Sequence, residues 1–135
     1  MTAAAADLQK ALFEALKGDA ALVSALGGAK LFDHAPASVA FPYITFGRTS
    51  VYDWSTCTES GTEQLFTLHV WSKARGKAET LAIMEIVRQR LGGGALALDG
   101  HHLVNLTFEF AEARFDEDLS VYHGLLRYRA VMEDA

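Results

Sequence analysis

From Val104 to Phe110 the chain alternates strictly between apolar and polar side chains, and after an acidic turn it alternates again from Ser120 to Met132. A period of two puts successive residues on opposite faces of a strand, so Val104, Leu106, Phe108 and Phe110 share one face and Asn105, Thr107 and Glu109 the other. On the return run Tyr122, Leu126, Tyr128 and Met132 oppose His123, Leu125, Arg127 and Arg129. With Phe115-Asp116-Glu117-Asp118 between them, the two runs predict a long antiparallel hairpin.

Upstream the periodicity changes to that of helices. Leu8, Ala11, Leu12, Ala15 and Leu16 fall on one face between about Thr2 and Lys17, with Gly18 as a stop. Asp19 is placed to cap a short second helix, Ala20 to Leu26, which Gly27-Gly28 ends. These helices need a sheet to cover. Lys30 to Asp33 reads as a short extended piece, and Phe41 to Arg48 as a strand with Ile44 and Phe46 opposed to Tyr43 and Thr45, Pro42 being tolerated near a strand start or edge. Glu63 to Ser72 is a further strand, with Phe66, Leu68 and Val70 on one face and Leu65, Thr67, His69 and Trp71 on the other. Both faces are partly apolar, which predicts a cover on each. A helix from about Gly76 to Leu91 sets Leu81, Met84, Val87 or Arg88, and Leu91 inward, and Gly92-Gly93-Gly94 ends it. Asp99-Gly100 is a two-residue hairpin signal ahead of the last strands. Helices early and in the middle, with hairpin-linked strands between and after, specify an α+β layer fold: a mostly antiparallel, mixed sheet with two main helices packed on it. Half of the 135 residues are hydrophobic, enough for one core, so residues 1–135 are read as one domain.

The formal charge of −5 disfavours nucleic-acid binding over the whole surface. One cysteine, Cys57, forms no intrachain disulfide and needs no oxidising compartment, and no run reaches the roughly 18 apolar residues of a membrane span. No basic start before an apolar block marks a leader. Catalytic candidates are few. The adjacent His101-His102 pair has the wrong spacing for a metal site, its rings pointing to opposite faces of a turn. His69 reads as a mid-strand ring bonded to a cross-strand partner, with no nucleophile or carboxylate assignable to it. Cys57 has no neighbouring cation or imidazole to activate it, and the Ser55–Thr62 connector lacks phosphate-loop spacing. No catalytic, cofactor or metal residue is therefore assigned.

Surface charge is more informative. Lys73, Arg75 and Lys77 crowd the start of a helix, where the macrodipole favours anions, so these cations suit a partner better than their own helix. Asp116, Glu117 and Asp118 at a hairpin tip form an acidic complement, and basic edge against acidic edge suits a head-to-tail ring; two solvated loops that maintain solubility are the alternative. Trp54, next to Tyr52 and Asp53 on a polar loop, fits an interface anchor; folding back on its own sheet is the alternative.

Several ordered blocks together resemble a known family: the N-terminal helices ending Leu26-Gly27-Gly28, the Phe41-Pro42-Tyr43-Ile44 strand, Asp53-Trp54-Ser55-Thr56, Leu68-His69-Val70-Trp71-Ser72, the basic helix start, and Leu98-Asp99-Gly100-His101 followed by Leu103-Val104-Asn105-Leu106. From about Leu8 to Met132 the chain is similar to the tail-completion proteins of tailed phages, also called tail terminators or head-to-tail joining proteins, found in prophages and gene transfer agents. The resemblance implies a lambda-type tail-terminator fold and no catalysis. It implies a hexameric ring on the head-proximal end of the tail tube, made in the bacterial cytoplasm and carried in the virion. The ring would end tube growth and join the head connector or stopper proteins, with DNA passing through its lumen. Arg48, Tyr52, Asp53, Trp54, Lys73, Arg75, Lys77, Asp116, Glu117 and Asp118 are the expected contact residues. Cys57 departs from the polar or basic residue expected there. Other readings stay open: an adaptor or stopper of the same neck, a small-ligand-binding or enzymatic domain around His69, Trp71 and His123, and a generic dimer.

Overall fold

A computed structural model describes residues 3–93 and 96–134. Helix α1 (Ala4–Lys17) buries Leu8, Ala11, Leu12 and Leu16, the stripe expected from the spacing, and ends at Gly18. Helix α2 (Ala20–Leu26) starts as the sequence predicts, with the Asp19 carboxylate accepting from the Leu22 amide at 3.0 Å. Gly27 closes it in the left-handed conformation that glycine adopts without strain (φ 78°). The third helix, α3 (Ala78–Gly92), turns Thr80, Ile83, Met84, Val87 and Leu91 inward. Met84, Val87 and Leu91 are inward as predicted, but Leu81 faces solvent, because the first turn of the helix turns Thr80 to the core in its place. Gly93 caps this helix; Thr2 and Gly94, named in the sequence reading, lie outside the described residues.

The strands are β1 (Leu31–Phe32), β2 (Tyr43–Asp53), β3 (Gly61–Ser72), β4 (His101–Asp116) and β5 (Val121–Asp134). They form one sheet in the order β1-β2-β3-β5-β4, with β1 parallel to β2 and every other pair antiparallel. The C-terminal hairpin is present as β4 and β5. Asp99-Gly100 makes no hairpin: it leads straight into β4, whose only partner among the described residues is β5. The expected β4 alternation also fails at two points. The register slips between Leu103 and Asn105 and again between Phe108 and Phe110. Each extra residue reverses the parity, so Leu103, Leu106, Phe108, Ala111 and Ala113 pack on the core while Val104 and Phe110 turn out.

All three helices contribute to one core on one face of the sheet, against Ile44, Phe66, Leu68, Val70, Leu126, Tyr128, Ala130 and Met132. At Gly124 the α3 layer comes so close that an added Cβ would lie 2.6 Å from Met84 Sδ and 2.8 Å from Thr80 Cγ2. The second face of the sheet carries no helix. The mixed character of Leu65, Thr67, His69 and Trp71 therefore reflects a half-exposed surface; the second covering layer expected from it is absent among the described residues.

Candidate assembly surfaces

The strand register maps the open face row by row. Tyr43, Trp71, His123 and Arg114 stand side by side; the next row is Thr45, His69, Leu125 and Glu112. Further along come Ser50, Leu65, Arg129 and Thr107, then Tyr52, Glu63, Val131 and Asn105. The first two rows hold a stack of rings: Trp71 lies 4.1 Å from His123 at an interplanar angle of 4°, and His69 lies 4.8 Å from His123. His69 Nδ1 and His123 Nε2 share a hydrogen bond at 2.6 Å, and Trp71 Nε1 donates to Thr45 Oγ1 at 3.0 Å. Gly47 accommodates the stack, since any Cβ there would collide with the His69 ring and the Thr67 hydroxyl. Partial burial, then the neighbouring His69, then Arg114 push the His123 pKa down to about 4, and partial burial lowers that of His69. Both rings are thus neutral at pH 7, and their mutual bond fills the place where a ligand pocket was considered. His69 has the cross-strand partner expected of it.

Further along this face, side chains from four strands, among them Arg48, Tyr52, Leu65, Glu109 and Arg127, line a shallow concavity of about 300 Å³. Arg129 Nε donates to Glu63 at 2.8 Å and leaves that pair neutralised. Arg127 stands 5.5 Å from the Phe110 ring.

The two ends of the sheet differ. At one end β3 runs out at Ser72 into the basic joint, and β4 and β5 meet in the acidic tip, because Ser72 is level with Tyr122 and Phe115. Lys73 lies 4.9 Å over the Phe41 ring and so leans toward the β2 side, while Arg75 and Lys77 are exposed. At the tip Asp116 accepts from the Leu119 amide at 3.1 Å, and Phe115 and Leu119 are exposed. The structure thus brings the predicted basic and acidic groups to the same end of the molecule.

Tyr52, Asp53 and Trp54 lie at the opposite end, about 40 Å away along the 12 residues of β3. There the Asp53 carboxylate accepts from the Ser55 hydroxyl at 2.7 Å and its amide at 3.1 Å, which hold its pKa below the usual carboxylate range. The Trp54 amide donates to the Gly61 carbonyl at 3.0 Å, and Trp54 Cε3 would lie 3.2 Å from a Cβ on Gly61. Trp54 therefore rests on its own hairpin and still leaves 40% of itself exposed, beside Val51 and Tyr52 at 49% and 52%. Cys57 is exposed in the same loop.

One buried polar site lacked any sequence signal. Asp7, on the inner face of α1, accepts from His101 Nδ1 at 2.7 Å and from the Asp99 amide at 2.8 Å. His101, read from the sequence as part of a solvated turn, is a buried latch between the first helix and β4. Its partner lies 94 residues away, beyond the reach of any local pattern. Among the described residues no cluster of three side chains suits a metal ion, and no helix is long and apolar enough to cross a membrane.

A sheet covered on one face, bare on the other and free along its edges defines a structural subunit of the α+β layer type. A similar subunit is found in an assembled particle. The chain is similar at 33% identity to a chain in the virion of a native gene transfer agent particle, covering 98% of this chain and 99% of that one with a TM-score of 0.89. The bacteriophage SPP1 gp17 protein has the same fold, at 24% identity, 94% and 89% coverage and a TM-score of 0.65. No curated protein matches in sequence. The family model described as tail completion protein gp17 matches residues 10–133, and the chain belongs to that family. Its role is accordingly a structural one in tail completion.

Proposed function

We propose that this protein is a tail terminator: copies close into a six-membered ring on the head-proximal end of a tail tube, stop its growth and offer the surface to which head connector or stopper proteins join. It works without catalysis, in the neck of a phage or gene transfer agent virion, and DNA passes through the lumen. The observation that carries this reading is the end-to-end match, 98% of this chain on 99% of the other, to a chain of an assembled gene transfer agent virion. Termination is a problem of specificity: the subunit needs one surface that the tube accepts and another that tube protein cannot extend. Both are available in a subunit whose ends differ in chemistry. Basic Lys73, Arg75 and Lys77 and acidic Asp116, Glu117 and Asp118 stand at one level of the sheet, where neighbours related by rotation about an axis along the strands would meet them.

The test is mass by light scattering with negative-stain imaging, on the purified protein and on its mixture with polymerising tail-tube protein. Six-fold rings that cap tube ends and limit their length are expected. A stable dimer that leaves tube growth unchanged would remove this reading, and rings that bind the connector while ignoring tubes would assign the protein to a neighbouring neck position.

A further inference from the structure

We propose that neighbouring copies join by extending the sheet: the outer edge of β4 in one copy pairs antiparallel with the outer edge of β2 in the next. This rests on the ring reading above and adds the contact that closes the ring. Among the described residues β4 bonds only to β5, so its other side presents an open edge along a strand of 16 residues. Proteins that remain single keep such edges short, bulged, charged or covered; β4 has two bulges and the charges of Glu109 and Glu112, and is neither short nor covered. On the far side of the sheet β1 covers β2 only at Ile44 and Thr45, leaving residues 46–53 uncovered as well. Each copy therefore has two free edges.

Direction, level and charge all suit their pairing. Because β2–β3, β3–β5 and β5–β4 are each antiparallel, β2 and β4 point opposite ways. A copy placed alongside by rotation about an axis along the strands sets β4 antiparallel to the next β2. Ser50 and Tyr52 share rows with Thr107 and Asn105, so the uncovered part of β2 lies level with the first half of β4. Both edges expose apolar side chains there, Val51 and Tyr52 on one and Val104 and Phe110 on the other.

The charges are unlike. β4 and its tip carry Glu109, Glu112, Asp116, Glu117 and Asp118 against Arg114, whereas the β2 side has Arg48 and the Lys73 ammonium held over Phe41, its one carboxylate, Asp53, standing at the far end, level with Leu103 and away from the β4 acids. A twofold β4–β4 pairing would set acid on acid; β4 on β2 sets acid on base. Side chains of β2, β3, β5 and β4 line the concavity of the open face, the face that a ring with its helices outside would turn inward.

The test is oxidative cross-linking of the full chain with tail-tube protein present, in a Cys57→Ser background that removes the exposed native thiol. Ser50→Cys is combined with Thr107→Cys, and separately with Asn105→Cys to cover a shift of one pleat; each single variant is the control. The double variants are expected to give a ladder of covalent multimers that ends at the ring, and the singles none. Hydrogen exchange in residues 46–53 and 101–110 is expected to slow about tenfold or more on assembly. Dimers from Thr107→Cys alone would overturn the proposal in favour of a twofold contact. Rings that form with no cross-link and with unchanged exchange in both segments would overturn it and leave the ring reading standing. A wild-type chain that stays monomeric alone and on tubes would sink both.

Discussion

Replacing Trp54 by alanine measures how much one anchor contributes to assembly. A tryptophan buries roughly 250 Å² when fully enclosed, and the 40% of Trp54 left exposed amounts to about 100 Å² available to a neighbour. At about 25 cal/mol per Å², covering that area contributes about 2.5 kcal/mol at each contact, or about sixtyfold in dissociation constant. The covered part of the ring lies on Gly61 at the far end of the β2–β3 hairpin, where residues 51–60 are all exposed. The cost to folding is therefore local, and the melting temperature should fall by less than about 5 °C. The assay is a dilution series followed by light scattering, with thermal melting of the monomer alongside. Rings at the wild-type concentration would refute the anchor argument. Loss of the folded monomer would refute it differently, by making Trp54 part of the structure.

Three further outcomes follow from the packing and from the histidines. The neutral His69–His123 pair has lowered pKa values, to about 4 for His123, so the unfolded chain binds protons that the folded one refuses. That share of stability is complete above about pH 7 and is lost as pH falls from 6.5 toward 4; discounted for half-exposed rings it is about 1 kcal/mol at pH 5. Urea unfolding at pH 7.5 and 5 should reveal this slope in the wild type and a shallower one in His123→Gln, and equal slopes would contradict it. Gly124→Ala forces a methyl into Met84 and Thr80 and should cost about 1–3 kcal/mol. In a Met84→Ala background Gly124→Ala should cost less than it does in the wild type, whereas strictly additive effects would mean the close approach is not the cause. Asp7→Ala strands the Asp99 amide and leaves the buried His101 ring only the Asp134 carboxylate at 3.7 Å, and should cost about 2–4 kcal/mol, seen as a melting temperature lower by about 7–14 °C. A change under about 2 °C would mean that the latch contributes little.

Much of this architecture is legible from spacing alone. Local rules suffice for α1, for the Asp19 cap, for the inward stripe of β3 and for the β4–β5 hairpin, because each depends on neighbours within a few residues. Misreadings occur where distant partners decide. Alternation at Val104–Phe110 looks regular in sequence, yet two bulges set by pairing with β5 reverse it and turn Val104 and Phe110 outward. Asp99-Gly100 has hairpin chemistry and no preceding strand to pair with. For the candidate surfaces, composition revealed the basic joint and the acidic tip and hid that both stand at one end. Nor does any pattern disclose that β1 stops after covering two residues of β2.

The placement of those groups bears on how a ring could end a polymer. If the ring axis runs along the strands, the two ends of each sheet become the two faces of the ring. One face then presents alternating charge, from Lys73, Arg75 and Lys77 and from Asp116, Glu117 and Asp118. The other presents Trp54 above a Ser-Thr-rich loop. A subunit that only prolonged a tube would need ends that match each other, so that each layer could receive the next. Ends that are not complementary would break that repeat at the first layer, while complementary edges would still allow the ring to close. On the ring reading, growth would be stopped by the mismatch between the ends and assembly kept by the match between the edges.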